Sequence, residues 1–385
     1  MKTIYADYQA STPIDPRVLE AMTDYWRNGH GNPHSIDHIV GWRAAQDVEK
    51  ASEIVARVIG ADADEIVFTS GATEANNLAL TGLARRASPD RNRILVSAIE
   101  HKCVLETARM LSEREGYIVG FIPVDHEGFV ILDALEDMLD ETVLLASVMA
   151  VNNEIGTIQD IATVAASLAP YGTLLHCDAT QAPCAMDTGE LTKHADLISL
   201  SAHKFYGPQG IGALYVRRDL QSTLEPLMFG GGQQNGLRAG TIPVPLCVGM
   251  AAAANIAMSP EQVIERRRVA CLRNRFVSFL EDSGTCLEIN GHWGNRRHPG
   301  NANIRFTGQN AADILAAVQP RIAASVGAAC ASGITESSHV LRAIGLSTAA
   351  ADASIRFSFG RFSTDEEAEE SARFVTDALF HLNAS

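Results

Sequence analysis

Between about residue 40 and residue 220 the chain alternates short, nearly unbroken apolar runs with stretches of helical spacing, and few architectures accept that pattern. The runs are EIVFTS (65–70), RILVSA (93–98), VLLASVMAV (143–151), TLLHCD (173–178), DLISLS (196–201) and IGALYV (211–216). A strand with one wetted face alternates apolar and polar residues, whereas a run that is apolar throughout implies cover on both faces. The stretches between them, 72–86 and 102–115 among them, set apolar residues at helical spacing with charges on the other side. The expectation is an α/β fold, a mainly parallel sheet flanked by helices.

Near residue 230 the pattern changes. A glycine-rich segment, GGGQQNG (230–236), leads to a turn bounded by Pro243 and Pro245. Helical spacing then runs over 244–281 with a break near Ser259 and Pro260, followed by shorter strands (302–306, 354–358) and helices (311–318, 365–382). This predicts a smaller α+β domain beside the large one, and 385 residues suffice for two cores. The expected division is a large domain over 16–250 and a small one built from 1–15 and 251–385.

The formal net charge of −15 narrows the partners. So acidic a chain repels phosphate backbones, and direct nucleic-acid binding is not expected. Seven cysteines, an odd number with no C-x-x-C pair, argue against a disulfide framework and a structural zinc site and for reduced thiols. The longest apolar stretch, 143–151, falls far short of the roughly 20 residues of a membrane span, and the opening MKTIYADYQASTP has no signal-peptide core. A cytoplasmic protein with no membrane association is expected.

In an open parallel sheet, ligands gather beyond the C-terminal strand ends. Ser70-Gly71-Ala72-Thr73-Glu74 follows one strand and opens a helix, where backbone N–H groups and the helix dipole attract an anion; a purely structural glycine turn looks the same. Asp178 ends another strand, with Gln181 three residues on. It serves either as a helix cap or as the carboxylate that keeps a pyridinium nitrogen protonated. In Ser201-Ala202-His203-Lys204 a lysine leaves a buried strand, where an unpaired ammonium is costly. It is either a solvated loop residue or a Schiff-base lysine holding an aldehyde cofactor, and Asp178 one strand away favours the second. His101, past the strand 93–98, is either a cap or a proton carrier stacked on a cofactor ring.

With these residues in place, YADYQASTPIDPRV, GNPHS, EIVFTSGATEANNLAL, VNNEIGTIQDI, HCDATQA, SAHKFYGPQGIGALYVRR, RAGTIPV, GAACAS and SIRFSFGRF follow one another over essentially the whole chain. In that order and spacing the chain resembles the cysteine desulfurases of the pyridoxal-phosphate aminotransferase-like fold (fold type I), the group that contains the housekeeping and nitrogen-fixation sulfur donors. The resemblance implies that Lys204 tethers pyridoxal 5'-phosphate. Thr73, Ser201 and His203 would hold the phosphate with the Ala72 and Thr73 backbone, and His101 would stack on the ring. Asp178 would pair with the ring nitrogen and Gln181 with the phenolic oxygen. Asn153 and Arg356 would bind the carboxylate of L-cysteine. Thr241 matches a threonine that reaches the neighbouring subunit's phosphate, which implies a homodimer.

Cys330 matches the cysteine that receives the sulfur as a persulfide. It stands in SVGAACASG (325–333), among small side chains. A cysteine in such surroundings is also simply a small core residue, so the role comes from the resemblance; the other six cysteines are expected to be structural. The resemblance further implies a sulfur-acceptor protein serving either iron–sulfur cluster assembly or DNA phosphorothioate modification. Housekeeping members carry a tail beyond the last helix, and the phosphorothioation enzymes tend to be short as this chain is. The rival readings are a selenocysteine lyase or another pyridoxal-phosphate lyase or aminotransferase, and a silent docking protein of the same fold. Cys330 speaks against the first, and the joint presence of Lys204, Asp178, His101 and Cys330 against the second.

Overall fold

The computed structural model describes residues 3–326 and 337–383. Each apolar run read from the sequence forms a strand. In chain order the strands are β1 (Ile4–Tyr5), β2 (Ile66–Thr69), β3 (Arg93–Ser97), β4 (Ile118–Ile122), β5 (Val143–Ser147), β6 (Leu174–Asp178), β7 (Leu197–Ser201), β8 (Gly212–Val216), β9 (Leu287–Ile289), β10 (Asn301–Phe306), β11 (Ile322–Ala323) and β12 (Ser354–Ser358). Seven of them form one sheet in the order β2-β8-β7-β6-β5-β3-β4. β7, β6, β5, β3 and β4 run parallel, and β8 runs against both β2 and β7.

The unbroken apolar runs follow from the cover on both faces. In β3, Leu95 enters one core while Ile94 and Val96 enter another; in β8, Ala213 and Tyr215 enter the first and Leu214 and Val216 the second. Successive side chains point to opposite faces, and neither face is wet. Helices Ile39–Ile59 and Val244–Ala257 cover the first face, Ala72–Ala84 and Lys102–Glu115 the second. Leu95 is fully buried, and truncating such a residue to Ala costs about 2–5 kcal/mol.

A separate core forms around β10 and β12, which pair antiparallel and carry β9 on the outer side of β10. Their inward side chains Ile304, Phe306, Ile355 and Phe357 meet Leu272, Phe276 and Leu280 of helix Glu261–Asp282 and Ala372 and Val375 of helix Asp365–Asn383. Phe276 and Phe357 pack with their rings tilted by 50° and the centroids 4.8 Å apart. The break expected near Ser259-Pro260 separates helix Val244–Ala257 from helix Glu261–Asp282.

The N-terminal segment joins these parts. β1 lies parallel to β11, with Ile4 opposite Ile322, and Asp7 bridges to Ser358 of β12. Residues 9–12 then cross to the large sheet, where Thr12 N donates to His203 O (2.9 Å). Among the described residues no helix is long and apolar enough to cross a membrane.

Candidate active site

At the C-terminal ends of β3, β5, β6 and β7 a cavity of about 720 Å³ opens, closed on another side by the N-terminal segment and β12. Each strand delivers its polar residue at the point where the apolar run stops.

After β2 the backbone turns through Gly71 at φ 151° and ψ −179°, a region accessible to glycine alone, and the helix Ala72–Ala84 begins. Glu74 ties the turn down: its carboxylate accepts from Ser70 N (2.7 Å) and from Arg238 Nε (2.8 Å). β8 passes so close that a Cβ on Gly212 would lie 2.7 Å from Gly71 Cα, which explains the second glycine. Thr73 is exposed toward the cavity, beside the N–H groups that open the helix.

Asp178 ends β6 buried. Its Oδ1 accepts from Thr180 N (3.0 Å) and its Oδ2 from the Asn76 amide (2.8 Å). It does not cap the following helix, Ala182–Ala185, whose first residues are preceded by Gln181. Gln181 donates to Gln9 O (2.9 Å), so its amide reaches the N-terminal segment.

β7 ends at Ser201, and a single 3-10 turn, Ala202–Lys204, brings His203 and Lys204 into the cavity wall. Lys204 Nζ donates to the carbonyls of Gln9 (2.7 Å) and Ala10 (2.8 Å) and forms no ion pair among the described residues. Burial, with Arg356 adding to it, brings the amine down to about 8, against the weaker pull of Asp178 and Asp7. His203 Nδ1 lies 3.1 Å from Ser11 Oγ, and burial with the Lys204 charge lowers this imidazole to about 4, so it is neutral at physiological pH.

Of the two roles expected of His101, the structure shows the cap. Its Nδ1 accepts from Cys103 N (3.2 Å) and caps the helix Lys102–Glu115, while the exposed residue lines the cavity. Burial lowers its basicity, opposed by Asp178. Arg356 comes from β12: Nη1 donates to Asn153 O (2.8 Å), and Nη2 to Asp7 Oδ1 (2.7 Å) and Ser325 Oγ (2.8 Å). Its buried Nε finds no partner among the described residues.

Ala72, Thr73, His101, Asn153, Asp178, Gln181, Ser201, His203, Lys204 and Arg356 therefore line one cavity. Thr241 is exposed and lies outside it, and Cys330 falls outside the described residues. Sequence reasoning missed several neighbours. The Gln9 and Ala10 carbonyls carry no side-chain signature. Asn76 is visible only as the position one helical turn after Ala72. Cys103, expected to be structural, lies in the cavity wall, as do Glu154 and His339. Glu100, behind the wall and fully buried, accepts from Met149 N (2.5 Å) with one oxygen, and the other has no partner among the described residues. Burial, then the charge of Asp178, raises its carboxyl well above the ordinary range.

The family profile of the class-V aminotransferases matches residues 4–370. A cysteine desulfurase IscS of Rickettsia rickettsii (strain Iowa) is 42% identical over 381 residues, covering 99% of this chain and 92% of that protein. A solved NifS-like protein superimposes with a TM-score of 0.91 at 36% identity, over 99% of this chain and 100% of the other. The structure of SspA in complex with cysteine does so with a TM-score of 0.81 at 35% identity, over 94% and 100%.

Proposed function

We propose, because the chain belongs to the class-V aminotransferase family and within it to the cysteine desulfurases, that it takes the sulfur atom from L-cysteine, leaves L-alanine, and receives that sulfur on Cys330. The observation that carries this reading is the convergence of Lys204, Asp178, His101 and Arg356 on one cavity, with the Lys204 amine brought down to about 8.

The residues fit pyridoxal 5'-phosphate. Lys204 offers an amine that is partly uncharged at neutral pH, as an aldehyde requires. Among the described residues each oxygen of Asp178 accepts from a single donor, which leaves lone pairs for a protonated ring nitrogen. The Gly71 turn presents helix-opening N–H groups, with Ser201 and Thr73 beside it. When bound, the cofactor supplies an electron sink conjugated to the substrate Cα.

Lys204 Nζ would hold the cofactor at rest and afterwards move the proton of the substrate Cα. Asp178 would keep the ring nitrogen protonated. Arg356, held by Asp7 and Ser325, would orient the substrate carboxylate with Asn153 beside it. His101, neutral with Nδ1 occupied, would exchange protons with the substrate from its other nitrogen. The Cys330 thiolate would attack the substrate sulfur as the C–S bond breaks. That electron pair takes up a proton to give alanine, so one thiol and one cysteine become one persulfide and one alanine.

The wider assignments belong to the same proposal. Thr241, exposed and outside its own cavity, would serve the partner's phosphate in a homodimer. The chain would divide into 16–250 on one side and 1–15 with 251–385 on the other. The persulfide would pass to a protein of iron–sulfur assembly or of DNA phosphorothioate modification. In the test, purified protein with pyridoxal 5'-phosphate and L-cysteine yields alanine in step with transferable sulfur, and borohydride places its tag on the Lys204 peptide. Cys330→Ser keeps the cofactor absorbance and loses the persulfide. No alanine from the wild type, or a tag elsewhere, overturns the reading.

A further inference from the structure

The cavity wall holds a thiol for which the proposed reaction has no use. Cys103, on the first turn of helix Lys102–Glu115, lies between two residues that the reaction does use. The Asn76 amide nitrogen donates one hydrogen to Asp178 Oδ2 (2.8 Å) and stands 3.2 Å from Cys103 Sγ. Cys103 Sγ in turn stands 3.0 Å from His101 Nδ1.

The polarity of this chain of contacts follows from what each group is able to do. An ionised carboxylate only accepts, so the nitrogen end of Asn76 faces Asp178 and its second hydrogen is the one directed at sulfur. The buried Asn76 oxygen has no partner among the described residues, consistent with an amide oriented by its donors. Having accepted from Asn76, the sulfur keeps its own S–H for His101 Nδ1. That nitrogen also faces the Cys103 backbone N–H (3.2 Å), which only donates. The backbone contact requires Nδ1 to be an acceptor, so the thiol meets it as a donor, and a neutral imidazole then carries its proton on Nε2, the nitrogen left for the cavity.

We propose that Asn76 and Cys103 are positioning residues that relay the orientation set by Asp178 to His101, holding its Nδ1 as an acceptor and its proton on Nε2. This rests on the desulfurase reading for its chemical purpose. The thiol acts as a donor and not as a nucleophile: burial, then the charge of Asp178, pushes it up to about 12, with Asn76 and Thr73 opposing. At neutral pH it stays S–H and does not compete with Cys330 for sulfur. The charges facing His101 come from each neighbouring element: Asp178 from β6, Lys204 from beyond β7, His339 from helix His339–Ala343, and Lys102 from its own helix. Asp178 favours the imidazolium; the other three disfavour it, and the S–H contact acts in the same sense because it is lost when Nδ1 gains a proton.

The test follows the ring nitrogens of His101 by 15N NMR across pH in the cofactor-loaded protein without cysteine, the signals being assigned by their loss in His101→Gln. The wild type should show an acceptor Nδ1 and a protonated Nε2. Cys103→Ala should raise the His101 midpoint by roughly half a unit to one unit, the worth of one modest hydrogen bond. The acid limb of kcat/KM should move with it. Cys103→Ser, which keeps a donor, should stay near the wild type and remains informative if the alanine variant folds poorly. An unchanged His101 midpoint and tautomer in Cys103→Ala, or a persulfide mapped to Cys103 in Cys330→Ser, overturns the proposal. The nitrogen signals need no turnover, so they decide this point even if the wild type releases no alanine.

Discussion

In the cofactor-free protein, raising the pH from about 6 to about 10 with an amine-selective acylating reagent should label Lys204 ahead of every surface lysine. Two carbonyls hold its ammonium where an ion pair is usual, and burial with Arg356 brings the amine from the usual 10.5 to about 8. A midpoint at about 8 multiplies the uncharged fraction at neutral pH by about 300 relative to 10.5. The gain in labelling rate is smaller, because a less basic amine is a weaker nucleophile. Peptide mapping at each pH gives a midpoint for Lys204 alone. Arg356→Gln should move it up on two counts: the repelling guanidinium is gone, and Asp7 is released from it. The same midpoint has a consequence for folding. Between about 8 and 10.5 the unfolded chain binds this proton and the folded chain does not. The stability of the free protein therefore rises with pH through that window, and the destabilisation is fully present below it. A Lys204 that labels together with the surface lysines near 10.5 refutes the argument from burial.

Other outcomes follow from single features. Gly71→Ala should cost about 1–3 kcal/mol in denaturant unfolding. The strain lies in the backbone, since the new Cβ has Ser201 Oγ as its nearest neighbour at 3.8 Å. Glu100→Gln should be at least as stable as the wild type near neutral pH, because the amide keeps the acceptor for Met149 N and needs no proton, whereas Glu100→Ala should lie about 2–3 kcal/mol below the glutamine variant. A carboxyl held protonated by burial loses its contribution as pH rises through its folded midpoint, so the relative advantage of the glutamine grows toward alkaline pH. His176 and His203 should titrate near 4 and His298 near 3 by NMR. Their contribution to stability is present above the usual 6.5 and is lost as the pH falls through those values; midpoints near 6.5 would refute the burial that explains them.

The sheet was legible because a strand covered on both faces writes an unbroken apolar run. β2, β3, β5, β6, β7 and β8 lie within the runs read from the sequence. The edge strand β4 escaped notice for the corresponding reason: Ile118 and Phe121 are exposed, Gly120 interrupts the pattern, and nothing covers it as the central strands are covered. At the site, Lys204 and Asp178 were legible because a charged residue at the end of an apolar run needs explaining. Arg356 lies within a short strand and was reached only through the resemblance. The contacts of Lys204 with Gln9 and Ala10 were out of reach, since a carbonyl is present at every residue and only the fold selects which two meet the amine.

The stitching of residues 4–12 across the molecule bears on how the protein is made. This segment finds its mates, Ile322, Arg356 and Ser358, only after all the residues between them have been synthesised. A nascent chain that already has its large sheet still lacks the seat for the reactive amine, because Gln9 and Ala10 are not yet held in place. The seating of the Lys204 amine is thereby tied to long-range pairing, and it comes late, after the local contacts of the large sheet.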